Sequence, residues 1–503
     1  MMRSVLRSNR LRGWKLLLAG SLCGVQLYAQ EAPAAFSQLS SGQLLQMDVS
    51  GEAGTSVREP NGVVRILSQG DALEAYIQMA LDSNIVIQQK NISLEKALLA
   101  LRTAKNLYAP SVAFMGAYQS GDGGRDIPLP LGDLLNDAYA TLNQLTGSQR
   151  FPHLQNESIN FFPRNFYDAK VRTTLPLFNK DISHNRQISE QQLHLKEYEL
   201  EAYRRELVKE IKLAYFDHLR SLQAVTIQES ALQLALEGKR TNEKLLEHGK
   251  GLPAYVLRAE SEIAAIEAEL ARARQQVENA GLYFNMLVNR PAFEPIDTSF
   301  NETVALRECM ALMNDPADPQ QREELQSLRT AIELNETILK MNRQFAIPKL
   351  NGFLDIGSQA EGFKFNRQSR YYLAGLQLDI PLFSAQRNNI RIKENNLAVR
   401  DARLHLQQVT RQLLVSSQVA RNNLSSTWKT YQSSLVRLRA AETYQRLIER
   451  GYQAGTNSYI ETVDARNQLT AARLATILDQ YSVLQAAAVL ERETASYSFS
   501  GKN

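Results

Sequence analysis

Two hydrophobic periods alternate along this chain, and the alternation happens twice. Short stretches repeat every second residue, as a strand with one apolar face requires, and very long stretches carry the three-and-four spacing of helices. From Phe166, the residues Asp168, Lys170, Arg172 and Thr174 fall on one face, with Tyr167, Ala169, Val171 and Leu175 on the other. From Pro348, Lys349, Asn351 and Asp355 oppose Leu350, Leu354 and Ile356; from Tyr371, Gln377 and Asp379 oppose Leu376, Leu378 and Ile380. A weaker alternation runs from Ser111 to Gln119, with Val112, Phe114 and Tyr118 on one face. Each stretch is about ten residues long, which is what a tilted strand needs to cross a bilayer.

The helical stretches are long. From about Asp181 to Leu246 there is no Pro and no Gly except Gly238, and from about Ala385 to Glu449 there is neither. A continuous helix of that size reaches roughly 100 Å at 1.5 Å per residue, which predicts coiled-coil packing. The helix that follows the first of them supports this. Val256, Ile263, Leu270, Val277 and Phe284 form one sevenfold row, and Ala259, Ile266, Ala273, Ala280 and Leu287 form a second row three residues on. Together they make an a/d seam. Each helix pair turns at a short tip, Glu247–Pro253 in one case and Arg450–Ser458 in the other. Glycine past a helix end and proline at the first turn of the next are ordinary stop and start signals, and Asn457 or Ser458 can cap the last long helix.

The chain is duplicated. Leu175-Pro176-Leu177-Phe178 returns as Ile380-Pro381-Leu382-Phe383 about 205 positions later, and Gly249 with Val256–Ala259 returns as Gly455 with Thr462–Ala465 about 206 later. Ala109-Pro110 and Ile347-Pro348 are about 238 apart, so roughly 33 extra residues lie in the first half, predicting an insertion at 119–165. It begins Gly-Asp-Gly-Gly and contains an amphipathic stretch, Leu131, Leu134, Leu135, Ala138, Tyr139, Leu142 and Leu145, expected to face the cell exterior as a cap or lid.

Charge and cysteine content narrow the classes. The formal net charge of +4 comes from the first thirty residues, where Arg3, Arg7, Arg10, Arg12 and Lys15 meet no acid; without them 52 basic residues face 53 acidic ones. Nucleic acid is not implied. The cationic start, the apolar run Leu16–Leu27 and Ala29 before a cut at Gln30 or Glu31 predict a signal peptide at 1–30. The run is shorter than the ~20 residues of a spanning helix. Leu22 stands before Cys23, where lipidation expects a small residue, and Cys309 is then the one thiol left, so no internal disulfide is expected. No later stretch of about 18 apolar residues occurs, so any membrane contact must be through strands. No phosphate loop, Gly-x-Ser-x-Gly or His-Glu-x-x-His is present, and the six histidines lack ligand spacing. Neither an enzyme nor a cofactor or metal is expected.

Four membrane strands cannot close a barrel, which takes about eight or more. Two chains would give eight strands and an interior filled by side chains; three would give twelve and leave a lumen.

At this level the halves resemble the TolC-like outer-membrane efflux proteins. The resemblance rests on Leu-Pro-Leu-Phe and Ile-Pro-Leu-Phe at the strand-to-helix junctions, on the tip Gly455–Ala465, and on Leu287-Val288-Asn289-Arg290-Pro291 at the end of the first repeat. It implies a mainly α chain with membrane β-structure: a homotrimeric twelve-stranded β-barrel in outer-membrane lipid, four strands per chain, continued into the periplasm by a twelve-helix α-barrel. It also implies a drug-efflux or secretion duct fed by a periplasmic adaptor and an inner-membrane pump. The organisation expected is a signal peptide (1–30), an extended arm (31–67), a first repeat (68–290), a connector girdling the tunnel midway (291–319), a second repeat (320–496) and a tail (497–503). By position, acidic pore rings map to Glu461 and Asp464 and a gate tyrosine to Tyr452. Asn457 and Tyr255 stand where some members have Arg and Asp, so the charged latch of those members is absent or rebuilt. Adaptor contact would fall at Gly249, Lys250, Gly455 and Thr456. The competing expectation, a periplasmic coiled-coil scaffold or adaptor without a barrel, has no use for paired alternating strands.

Overall fold

The computed structural model describes residues 72–313 and 322–499, apart from positions 122, 161 and 163. The expected signal peptide with Cys23, the arm at 31–67, part of the connector and the last residues of the tail lie outside the described residues.

The first repeat runs α1 (Ala72–Ser83), α2 (Ile85–Asn106), β1 (Ser111–Gln119), β2 (Asp126–Leu129), α3 (Leu131–Thr146), β3 (Glu157–Asn160), β4 (Phe166–Phe178), α4 (Lys180–Glu247) and α5 (Pro253–Val288). After α6 (Glu302–Met313), the second repeat runs α7 (Glu323–Arg343), β5 (Lys349–Glu361), β6 (Arg370–Asp379), α8 (Arg387–Gln453) and α9 (Tyr459–Thr494). The duplication is close: α4 and α8 have 68 and 67 residues, and α5 and α9 have 36 each. The first repeat is the longer at the loop end of the sheet, where 46 residues separate β1 from β4 against 8 between β5 and β6. Two local features escape the periodicity. The helix ahead of β1 breaks at Asn84, whose side chain accepts from the Val86 and Ile87 amides and donates to the Leu287 carbonyl. The connector contains a helix, α6, packed on α9.

The strands form one antiparallel sheet in the order β1-β4-β5-β6. Lys170 pairs with Gly357, Arg172 with Asp355, and Asp355 with Leu373, which puts the polar rows of neighbouring strands on one face and the apolar rows on the other. The helices repeat this order, because α2 packs on α4, α4 on α7 and α7 on α8. α5 and α9 return along α4 and α8. The predicted seam is the packed face of α5, with Ala259, Leu270, Ala273, Ala280 and Phe284 all buried.

The main core lies far from both sheet and tips. Tyr76, Tyr215 and Phe284 pack ring to ring there, beside Phe216, Leu312, Leu424 and Leu484. Lys212 and Glu491 form a fully buried pair at 2.5 Å in the same layer, and the Tyr481 hydroxyl donates to Glu302. These bonds tie the middle of α4 and the start of α6 to the C-terminal part of α9.

Candidate functional site

Two regions carry chemistry beyond packing: the two faces of the sheet and the paired helix tips.

The polar face of the sheet is a continuous network. Arg172 donates two bonds to Asp355 across the β4–β5 ladder, at 2.7 and 2.6 Å. Lys170 donates to Asp168 at 2.7 Å, and the Tyr371 hydroxyl reaches Asp168 from β6. Two cations and two anions thus cancel on this face. The opposite face is apolar and uncovered: Phe114, Tyr372 and Leu376 are 74%, 80% and 70% exposed, with Val112, Ile356 and Leu378 beside them. Water would not tolerate so large an apolar patch without a partner. Aromatic residues bound it at both ends. At the loop end Tyr118 stacks on Phe363, and Tyr167 packs between Phe363 and Phe365. At the helix end Phe178 and Phe383 are exposed. From Tyr167 to Phe178 the strand covers about 36 Å at ~3.3 Å per residue, or about 27 Å of height at the usual barrel tilt. That is the height of a bilayer-facing apolar band.

β1 and β6 are both edge strands with an open row of backbone groups, which hydrocarbon does not permit. The helices attached to these edges are open in the same way. On α2, Ile85, Ile92 and Leu99 form a sevenfold row; on α8, Ile390, Leu397 and Leu404 form another, and every one of the six is at least half exposed. Leu99 lies 12 residues before β1 begins and Ile390 lies 11 after β6 ends, so the two rows stand at the same height.

At the tips, the sequence-predicted residues divide into two groups. Glu461 and Asp464 are both exposed on α9. Glu461 also closes a capping box: it accepts from the Ser458 amide at 2.9 Å while Ser458 Oγ takes the Glu461 amide, and Asn457 Nδ2 adds a further 2.9 Å bond. The Asn457 bond, then the Ser458 amide, hold its carboxyl below the usual glutamate range. Asp464 accepts from Gln468. Tyr452 does not join these acids. It is half-buried between the hairpins, its hydroxyl 3.1 Å from Asn242 on α4. Gly249 and Gly455 hold left-handed conformations, φ +67° and +76°, that turn the chain between helices. Lys250 is exposed, and Thr456 is tied by its amide and hydroxyl to the Gly451 carbonyl.

Sequence reasoning missed the group that joins the two hairpins. Arg466 on α9 donates to the Leu234 carbonyl of α4 and to Glu449 of α8, both at 3.1 Å. It crosses directly over Gly238, where a Cβ would lie 2.5 Å from Nη1. The one glycine in a 68-residue helix was the available signal, since glycine inside a helix costs about 1 kcal/mol relative to alanine and needs a reason. Around Arg466 sit Tyr255, Tyr452 and Tyr459, with Tyr459 5.6 and 6.0 Å from the other two rings. Glu262 completes the cluster. Burial pushes its carboxyl up, against the pull of Arg466 and Arg258, and burial likewise moves the Tyr459 phenol up to about 12. Glu262 Oε2 and the Tyr459 hydroxyl are both buried there without a well-formed hydrogen bond. Such a cluster holds two hairpins together by few, replaceable contacts.

Among the described residues no helix is long and apolar enough to cross a membrane, and no group of His, Cys, Asp or Glu is arranged to hold a metal.

The sequence model of the family described as outer membrane efflux protein matches residues 76–283 and 319–495. The alkaline protease secretion protein AprF of Pseudomonas aeruginosa is 21% identical over 322 residues, covering 61% of this chain and 65% of AprF, just under two thirds of that protein's length. Among solved structures, the outer-membrane channel OprN superposes with a TM-score of 0.69 at 15% identity, over 88% of this chain and 99% of OprN. The outer membrane protein VceC of Vibrio cholerae superposes with a TM-score of 0.65 at 16% identity, over 84% and 96%.

Proposed function

The chain belongs to the outer membrane efflux protein family, and from that premise we propose that three copies form a passive duct from the periplasm across the cell outer membrane. Residues 1–30 act as the signal peptide that exports the chain. Cargo reaches the duct from a periplasmic adaptor and an inner-membrane pump. The pump selects it, so one duct design suits drug efflux or, as AprF's name says of AprF, protein secretion.

The observation that carries this reading is the pair of open edges. A four-stranded sheet with one apolar face cannot sit alone in lipid, because β1 and β6 would leave unpaired backbone groups there. Pairing β6 of one copy with β1 of the next removes both edges, and three copies close twelve strands around a lumen. The same step sets the α8 row against the neighbour's α2 row: Ile390 opposite Leu99, Leu397 opposite Ile92, and Leu404 opposite Ile85. The polar network of Asp168, Lys170, Arg172 and Asp355 then lines the lumen. Its charges are mutually paired, so the barrel section adds little selectivity.

Selectivity and gating belong to the tips in this reading. Glu461 and Asp464 are three apart on one helix face, and three copies bring six carboxylates to one constriction that favours cations. Tyr452 and Arg466 hold the second hairpin to the first, and their release widens the opening. Gly249, Lys250, Gly455 and Thr456 lie at the turns an adaptor would meet. The test is fractionation with unheated gel electrophoresis. The expected result is recovery in the outer membrane with a heat-sensitive trimer band; recovery only in the soluble periplasm with no such band would sink the duct.

A further inference from the structure

The insertion between β1 and β4 is built inside out. α3 turns its polar side inward and uses it to hold its own return segment. Asn136 accepts from the Leu154 amide at 2.8 Å and donates to the Leu154 carbonyl at 2.9 Å. One heptad on, Asn143 does the same to Phe151, at 3.1 and 2.8 Å. Asp133 and Asn156 exchange two more bonds. Gly132 lets the return segment come close, since a Cβ there would lie 2.7 Å from the Leu154 carbonyl oxygen. The loop is therefore a braced unit. Its apolar side is left outward: Leu134 and Leu145 are 69% and 79% exposed, and Leu131, Leu135 and Leu142 are exposed beside them.

We propose that this face packs on α3 of the neighbouring copies, so that three α3 helices meet and close the outer mouth of the duct; the inference rests on the trimeric reading above. Three observations select a second copy of the chain as occupant. The loop leaves from β1, one of the two edges that join copies, and only six residues separate β1 from β2. Threefold symmetry then brings three identical faces to one height. The spacing suits helix-on-helix packing: Leu131, Ala138 and Leu145 are a sevenfold row, Leu134 lies between, and small Ala138 at the centre permits close approach. Charge argues against a lipid surface. α3 carries Asp133 and Asp137 and no Lys, Arg or His, whereas surface-lying helices hold anionic head groups with cations.

The experiment introduces Ala138→Cys on the seam and, separately, Gln144→Cys on the exposed flank of the same helix. Native Cys309 is buried with its thiol pushed up to about 12, chiefly by burial, so it stays silent. Oxidation of the outer-membrane trimer is expected to give a cross-linked dimer from Ala138→Cys and none from Gln144→Cys. The double variant Leu134→Asp/Leu145→Asp is expected to keep the unheated trimer band and at least double the single-channel conductance. An intact trimer with no cross-link from Ala138→Cys, or equal cross-linking from both variants, would overturn the cap alone. Quenching by brominated lipid of a bimane attached to the introduced thiol of the Ala138→Cys variant would put the face in the outer leaflet and also overturn it. Loss of the trimer band in the parent protein would instead remove the duct reading itself.

Discussion

The two helical hairpins have nearly the same lengths and opposite jobs at their tips. In the second, Ser458 and Glu461 cap α9 reciprocally; in the first, Leu252 precedes α5 with no side-chain cap and Pro253 starts the helix. A shift of 206 positions superposes the repeats, and it sets exposed Glu461 on half-buried Tyr255, Arg466 on Glu260, and Tyr444 on Gly238. So the first hairpin supplies a groove, formed by Gly238, the Leu234 carbonyl and Asn242, and the second supplies what fills it, Arg466 and Tyr452. Duplication made two equal struts. Divergence between them put the socket on one and the plug on the other.

The largest test of that contrast is Arg466→Ala. It empties the socket and leaves Glu262 buried beside Arg258 alone, so the hairpins should separate more readily. A several-fold rise in single-channel conductance is expected in planar bilayers; unchanged conductance would show that the contact does not hold the tip closed. Gly238→Ala probes the same contact more gently, because the added Cβ meets the movable end of Arg466 at 2.5 Å and the Tyr459 hydroxyl only at 3.3 Å, and a smaller rise is expected.

Next in size is the double variant Glu461→Gln/Asp464→Asn. The acids exist only on the second hairpin, so neutralising them should weaken block by divalent cations several-fold, read as current inhibition against added cation. Block at the parental level would move the constriction elsewhere.

The caps give a smaller effect. Ser458→Ala should cost about 1 kcal/mol and speed hydrogen exchange in the first turn of α9. Leu252→Ser should do the reverse for α5, giving the first tip the cap it lacks.

Acidity gives the smallest. Burial holds the Glu262 carboxyl above its ordinary 4.5, so the protonated form suits the folded tip better. That contribution is full below 4.5 and lost as pH rises through the raised value. Conductance should therefore fall as pH is lowered from 7 towards 4.5, and Glu262→Gln should show the low-pH behaviour already at pH 7. Glu461, held below 4.5 by Asn457 and Ser458, keeps its charge across this window and cannot be the source.

Much of the architecture was legible because it is periodic. Alternation at two residues marked all four sheet strands, the absence of Pro and near-absence of Gly marked α4 and α8, and the a/d rows marked the packed face of α5. Even the surplus loop showed itself, as a mismatch between repeat landmarks. These signals come from neighbours along the chain, where the backbone's own geometry fixes which side chains share a face. The tip and the loop interior are different. Arg466 finds the Leu234 carbonyl 232 positions away, and Tyr452 finds Asn242 across 210. Asn136 and Asn143 lie on the side of α3 away from its leucines, and the return segment bonds to them and leaves the leucines bare. Sequence alone determined the repeated strands and struts, since period and length suffice for them. Only the tertiary structure decided which hairpin is socket and which is plug, and which side of α3 faces out, because each depends on a hydrogen-bond partner brought close by the fold.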